Sequence, residues 1–243
     1  MKRLFSVVIL IFLMNLFAGC IRVKDYEQVT VNKTEEPKQE EILNTNKIDN
    51  KIESQSRMID YRLNVPVRTQ ENNYYCGPAC LEMVLNYHEI FMSQSQLANE
   101  LKTSDVTGTE YLDVARVMNK YLFGKEDENP QGAGYHVQFI RQGDSSQSVY
   151  KEFEQRVIQD ISTNDPIFVA INLNEIYPTL PKANHLVVCT GYSVFEGSHE
   201  IEYFYILDPY YVVQNEYGSS LQRISKDVLF KAIYSNDEPA YIW

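Results

Sequence analysis

The apolar residues of this chain fall into three successive patterns. Lys2 and Arg3 precede an uncharged run from Leu4 to Gly19, whose most apolar part ends near Met14. From Ile21 to Asp60 the apolar residues, among them Val29, Ile42 and Ile52, keep no sustained period, and 16 of these 40 residues are charged. Beyond Tyr61 the pattern becomes periodic, first at helical spacing and then at the spacing of strands.

The periodic part predicts a definite order of elements. Gly77-Pro78 opens a largely apolar helix that runs to Tyr87, with Pro78 as its first helical residue, because a missing N–H costs nothing there. Cys76 then stands just before a helix N-terminus. A second helix starts at Ser93 or Ser95 and ends near Leu101. A third follows Thr109, whose hydroxyl can cap it, with Leu112, Ala115, Met118 and Leu122 facing inward. Gly124 to Gly134 reads as a loop, His136 to Ile140 as a strand, and Ser148 to Ile161 as a helix with the stripe Phe153, Val157 and Ile161. The runs 167–171, 185–191 and 201–207, rich in β-branched and aromatic residues, read as three strands. Ser225 can cap a late helix over 226–234, followed by a short terminal strand. Helices first and strands afterwards make an α+β domain, expected over residues 61–243, a normal size for one core.

The two leading segments bear on location rather than fold. A basic leader and an apolar run too short for the roughly 20 residues of a spanning helix predict a secretory signal over residues 1–19. Leu16-Phe17-Ala18-Gly19-Cys20 looks like a bacterial lipobox, which implies a lipid on Cys20 and a domain held to the outer side of the cell membrane. Residues 20–60 are then a lipidated cysteine and a charged tether, since such a composition buries too little apolar surface to offset the ordering of its backbone. An alternative has part of this tether, 39–58, docking on the domain as a short amphipathic helix. Without residues 1–19 the chain keeps 20 basic and 33 acidic residues, a charge of −13. That surface repels phosphate backbones and anionic headgroups, so nucleic acid is not an expected partner.

Candidate chemistry concentrates on one thiol. With Cys20 lipidated, Cys76, Cys80 and Cys189 remain, and an odd number in an exported chain leaves at least one free thiol. Unpaired N–H groups at a helix start favour a thiolate at Cys76, whereas Cys80 and Cys189 lie in apolar surroundings and read as core thiols. A thiol hydrolase also needs an imidazole and an acceptor that orients it. His88 lies about three turns along the nucleophile helix, too far to help, while His136 opens a strand and His199 lies in a polar loop. His185 begins an apolar strand, and Asp208 ends another before Pro209. If those strands pair, Asp208 accepts the His185 Nδ1–H and leaves Nε2 toward sulfur. Spacing alone leaves this open. No close ligand pair has zinc spacing, so no metal or cofactor is expected.

The segment from Gln70 through Cys76-Gly77-Pro78-Ala79-Cys80, then His185-Leu186-Val187-Val188 with Gly191-Tyr192, then Leu207-Asp208-Pro209, resembles the C39-like cysteine peptidases of the papain-like superfamily. The resemblance implies a papain-like fold, in which the nucleophile helix packs on a C-terminal antiparallel sheet. It also implies a Cys76, His185, Asp208 triad that cleaves a peptide or isopeptide bond through a thioester. Gln70 is implied as an oxyanion donor beside the Cys76 N–H. Tyr74, Tyr75, Tyr192 and Tyr210 flank these residues and are candidates for lining a substrate cleft. The alternatives are an amidase, deamidase or transpeptidase using the same triad, and a surface binding module without turnover.

Overall fold

The computed structural model describes residues 57–243, so the expected signal, Cys20 and most of the tether lie outside the described residues. Within them the expected α+β architecture is present. Strand β1, Met58–Arg62, comes first, then helices α1, Cys76–Tyr87, α2, Gln94–Glu100, and α3, Tyr111–Phe123. Strand β2, Val137–Phe139, and helix α4, Gln147–Thr163, lead into β3, Ile167–Asn172. A four-residue turn of helix, α5, Leu173–Ile176, precedes β4, Asn184–Phe195, and β5, Ile201–Leu207. The chain ends with α6, Tyr211–Glu216, β6, Leu221–Ser225, α7, Lys226–Tyr234, and β7, Ala240–Ile242. No helix among the described residues is long and apolar enough to cross a membrane.

The strands form one antiparallel sheet in the order β2-β7-β3-β4-β5-β6. Strand β4 is its longest member and has two partners along one edge. Residues Asn184 to Cys189 pair with β3, and Gly191 to Phe195 pair with β1. On the opposite edge β5 joins only from Val188 onward. The first residues of β4 therefore keep one edge open to other partners.

Alternate residues of the sheet feed two apolar layers. Phe168, Ala170, Leu186, Val188 and Leu207 pack with Cys80, Val84, Val114 and Met118 from α1 and α3. Val169, Ile171, Val187 and Ile206 pack with Phe153, Val157, Leu229 and Ile233 from α4 and α7. Helices on both faces explain why 186–189 read as a continuous apolar run rather than an alternating one.

Several local expectations change. Cys76 is the first residue of α1 rather than the one before it, and Pro78 is the third. Ser93 caps α2 through a reciprocal pair with Gln96, as a Ser three residues before a Gln allows. Glu110, not Thr109, holds the N-cap position of α3, because the Thr109 hydroxyl is bonded to that of Thr103 at 2.7 Å. The buried face of α3 is Tyr111, Val114, Ala115, Val117 and Met118. Leu112 is exposed, since the helix turns a neighbouring stripe toward the core. Ser225 precedes α7 but makes no capping bond. Strand β1 starts at Met58, so three residues expected in the tether are paired with β4 instead. Its outward residues are mostly exposed, and backbone pairing rather than an apolar pattern fixes it there.

Candidate active site

Cys76 reaches the sheet where β4 is still open. Cys76 is partly exposed and rests against the layer shared by α1 and α3. Close packing sets this position: a side chain at Gly77 would collide with the Thr109 hydroxyl. Burial works against ionisation of the Cys76 thiol. Even so, its pKa is lowered, because a side-chain hydrogen bond and the positive charge of His185 act with the backbone N–H groups of Leu186 and Gly77. The thiolate is thus favoured by donors from its own helix, from β4 and from the imidazole.

His185 is nearly buried, and its Nε2 lies 2.8 Å from Asp208 Oδ1. The ring is therefore turned opposite to the expected way. Nε2 serves the carboxylate, which leaves Nδ1 as the nitrogen for the thiol. Burial alone would make His185 harder to protonate, yet its pKa is raised to about 10 by the charge and hydrogen bond of Asp208 and by Cys76. A lowered thiol beside a raised imidazole is a pair polarised toward thiolate and imidazolium.

Asp208 is fully buried and held from several sides. Its Oδ1 also accepts the Tyr210 N–H at 2.8 Å. Its backbone N–H donates to Ser220 O at 2.9 Å, and its carbonyl accepts from the Ser220 hydroxyl at 2.7 Å and from Gln214 Nε2 at 3.2 Å. The Tyr177 phenol, itself buried, is raised well above its ordinary pKa by burial and by the adjacent Asp208 carboxylate. Ser220, Gln214 and Tyr177 were not singled out from sequence. They lie 31 residues or fewer from Asp208 but in short elements with weak periodicity, and only the Leu207-Asp208-Pro209 stop marked the neighbourhood.

Gln70 is buried close by, strapped between two elements. Its N–H donates to Pro209 O at 2.8 Å, while Gln94 bonds Thr69 O at 2.8 Å and the Glu71 N–H at 2.9 Å. The Gln70 amide nitrogen donates to Asn72 O at 2.8 Å, and no hydrogen bond among the described residues joins it to Cys76. Its Oε1 is buried without a partner.

A narrow cleft of about 70 Å³ opens beside the thiol. Cys76, Thr109, Tyr111, Asn184, His185 and Glu238 contribute to its walls. None of the four tyrosines expected to line a cleft is part of it. The ring of Tyr210 lies 6.1 Å from that of His185. Tyr74 and Tyr75 stack edge to face just before α1. Tyr192 is buried far along β4, stacked on Tyr61 at 5.0 Å, because β1 covers that half of the strand. Cys80 and Cys189 are buried free thiols. Burial pushes Cys80 well above the ordinary range and Cys189 up to about 12.

A model of the Peptidase_C39 like family matches residues 62–236. No curated protein matches the chain. Among solved structures, one described as a C39-like peptidase from Bacillus anthracis is 16% identical, with a TM-score of 0.48 over 76% of this chain and 96% of that one. The peptidase domain of Streptococcus ComA, a bi-functional ABC transporter, is 18% identical, with a TM-score of 0.43 over 75% and 96%. The bromelain protease from Ananas comosus is 14% identical, with a TM-score of 0.44 over 76% and 96%.

Proposed function

This chain belongs to the Peptidase_C39 like family, and from that premise we propose that it is a cysteine peptidase hydrolysing a peptide or isopeptide bond with Cys76, His185 and Asp208. The observation that carries this reading is the arrangement itself: Cys76 and His185 line one cleft, and the buried Asp208 carboxylate holds the far nitrogen of the imidazole at 2.8 Å. The lowered thiol and raised imidazole agree with it.

In this reading the Cys76 thiolate adds to the acyl carbon, and the carbonyl electrons move to oxygen. The oxyanion is met by the Cys76 N–H at the start of α1, and by the Gln70 amide if it turns from Asn72 O. Such a donor contributes about 3 kcal/mol at the transition state. As the tetrahedral adduct collapses, the C–N bond breaks and His185 Nδ1–H gives its proton to the leaving amine. Water then adds to the thioester, His185 takes back a proton, and the C–S bond breaks to return the thiolate. Asp208 holds the ring through Nε2 in both halves.

We place the enzyme outside the cell membrane, anchored by a lipid on Cys20 after removal of residues 1–19, with the charged segment as tether. The basic leader and the residues preceding Cys20 support this. Cys20→Ala should abolish incorporation of an alkyne fatty acid in cells; retained incorporation would overturn the anchor.

For the catalytic reading, the full chain is treated with a thiol-directed electrophile at pH 6 and mapped by peptide mass. Labelling confined to Cys76 and lost in Cys76→Ala is expected. Labelling that persists in that variant, or that tracks Cys80, would sink it. Peptide hydrolysis with and without an added amine then separates water from amine as the acyl acceptor.

A further inference from the structure

One charged side chain in the cleft has no part in the mechanism above. Glu238 stands in the turn between α7 and β7 and lines the cleft with Tyr111, Asn184 and His185. The turn is fixed at three points. The Glu238 N–H donates to Asn236 Oδ1 at 2.8 Å, the Asp237 N–H to Asn184 Oδ1 at 3.2 Å, and the Ile140 N–H to Pro239 O at 2.8 Å. Asn184 directly precedes His185 on β4. The strand end that mounts the imidazole therefore also locates the carboxylate.

Among the described residues Glu238 forms no ion pair, and Lys182, the cation bound to this turn, is taken by Asp237 at 2.8 Å. Tyr111 supplies a second and separate observation. It is nine-tenths buried, lines the same cleft, and its hydroxyl has no hydrogen-bond partner among the described residues. Its pKa is raised well above the ordinary range, by burial first, then by the negative charges of Glu238 and Cys76. One phenol thus lies within the field of both the carboxylate and the nucleophile. Glu238 is solvent-exposed at the mouth of the cleft and its carboxylate has no ion-pair partner among the described residues, while the phenol oxygen of Tyr111 lies on the same wall. A cation is the group that both attract.

We propose that Glu238, with Tyr111, selects substrates carrying a Lys or Arg side chain within two residues of the scissile carbonyl. The inference rests on the peptidase reading and names its substrate class. A neutral side chain forgoes the attraction, and an acidic one meets like charge.

The test uses three acyloxymethyl ketone peptides identical except for Arg, Gln or Glu beside the ketone, with a parallel set placing the variable residue one position further away. In each, the Cys76 sulfur displaces the carboxylate leaving group and forms a thioether, so the labelling rate reads recognition without turnover. For the full chain the Arg probe should react about tenfold faster than the Gln probe in one of the two sets. Glu238→Gln should bring the two rates within about twofold by slowing only the Arg probe, and Glu238→Lys should favour the Glu probe. Tyr111→Phe should lower the Arg preference by about threefold. Equal Arg and Gln rates in both sets, or a Glu238→Gln variant that slows both probes alike, would overturn the inference and leave the peptidase reading intact. Failure of every probe to label Cys76 would sink that reading, and this inference with it.

Discussion

Cys76 and Cys80 stand one helical turn apart on α1 and meet the backbone of the same residue of β4. Cys76 receives the Leu186 N–H, whereas the Cys80 thiol donates to Leu186 O at 3.2 Å. Both groups of Leu186 are available because β5 joins that edge of β4 only from Val188. A sulfur that accepts hydrogen bonds is stabilised as the anion, and one that donates is stabilised as the thiol. The pKa of Cys76 is lowered against its burial, chiefly by the hydrogen bond and charge of His185 and further by the Leu186 and Gly77 N–H groups, while burial and the nearby negative charges of Cys76 and Asp208 hold Cys80 well above the ordinary range. The two thiols are separated first by the imidazole of His185, which faces Cys76, and then by the direction of their hydrogen bonds to the backbone.

The harshest way to break this comparison is to remove either sulfur. Cys76→Ala should cost at least about 10³ in kcat/KM for any hydrolysed peptide and abolish electrophile labelling, while Cys80→Ala keeps both within about twofold. Comparable losses in the two variants would mean that the helix, not the local donors, confers reactivity.

Next in size is His185→Ala. Losing the imidazolium removes the largest influence that lowers Cys76, so the thiol pKa should rise and labelling at pH 6 should fall about 10²-fold, with partial recovery at pH 9. In the unaltered chain the two limbs have different origins. Labelling falls at low pH as the thiolate is protonated at its lowered pKa. Hydrolysis falls at high pH as His185 loses its proton near pH 10 and can no longer supply the leaving amine. A labelling profile that rises with a single ordinary thiol pKa would contradict the pair.

Asp208→Asn tests the same contrast more gently. The amide oxygen can still accept the His185 Nε2–H, but the charge that raises His185 is gone. The basic limb should therefore move to lower pH and kcat/KM should fall about tenfold to 10²-fold. An unchanged basic limb would assign the His185 shift to Cys76 alone.

These contrasts also show where the sequence was legible. The apolar runs announced α1, α4, α7 and the strands β3, β4 and β5, because both faces of the sheet are covered and each run had to be long and dry. Cys76, His185 and Asp208 were legible as residue types at the ends of such runs. Their hydrogen bonds were not. The Leu186 N–H and the Tyr210 N–H belong to the backbone, and the orientation of the His185 ring depends on where the end of β5 lies beside β4. Strand β1 and strand β6 follow backbone pairing more than an apolar pattern, so Tyr192, which reads as a neighbour of His185, lies under β1 instead. Glu238 follows the last helix with no local sign of the cleft it lines.

The smallest expected effect separates packing from polarity at Cys80. Cys80→Ala leaves a small void in a fully buried site and removes the donor to Leu186 O, so urea unfolding should show a loss of about 1–2 kcal/mol. Cys80→Ser restores a donor of similar reach, although its hydroxyl sits in an apolar layer and is costlier to bury than a thiol. If the hydrogen bond dominates, Ser is the milder variant; if the apolar surroundings dominate, Ala is. The apolar neighbours Val84, Leu186 and Val188 in the same layer, together with the weakness of a thiol donor, favour the second outcome. Stability should therefore fall in the order wild type, Cys80→Ala, Cys80→Ser. The reverse order for the two variants would show that Cys80, like Cys76, is held chiefly by its bond to the backbone of Leu186.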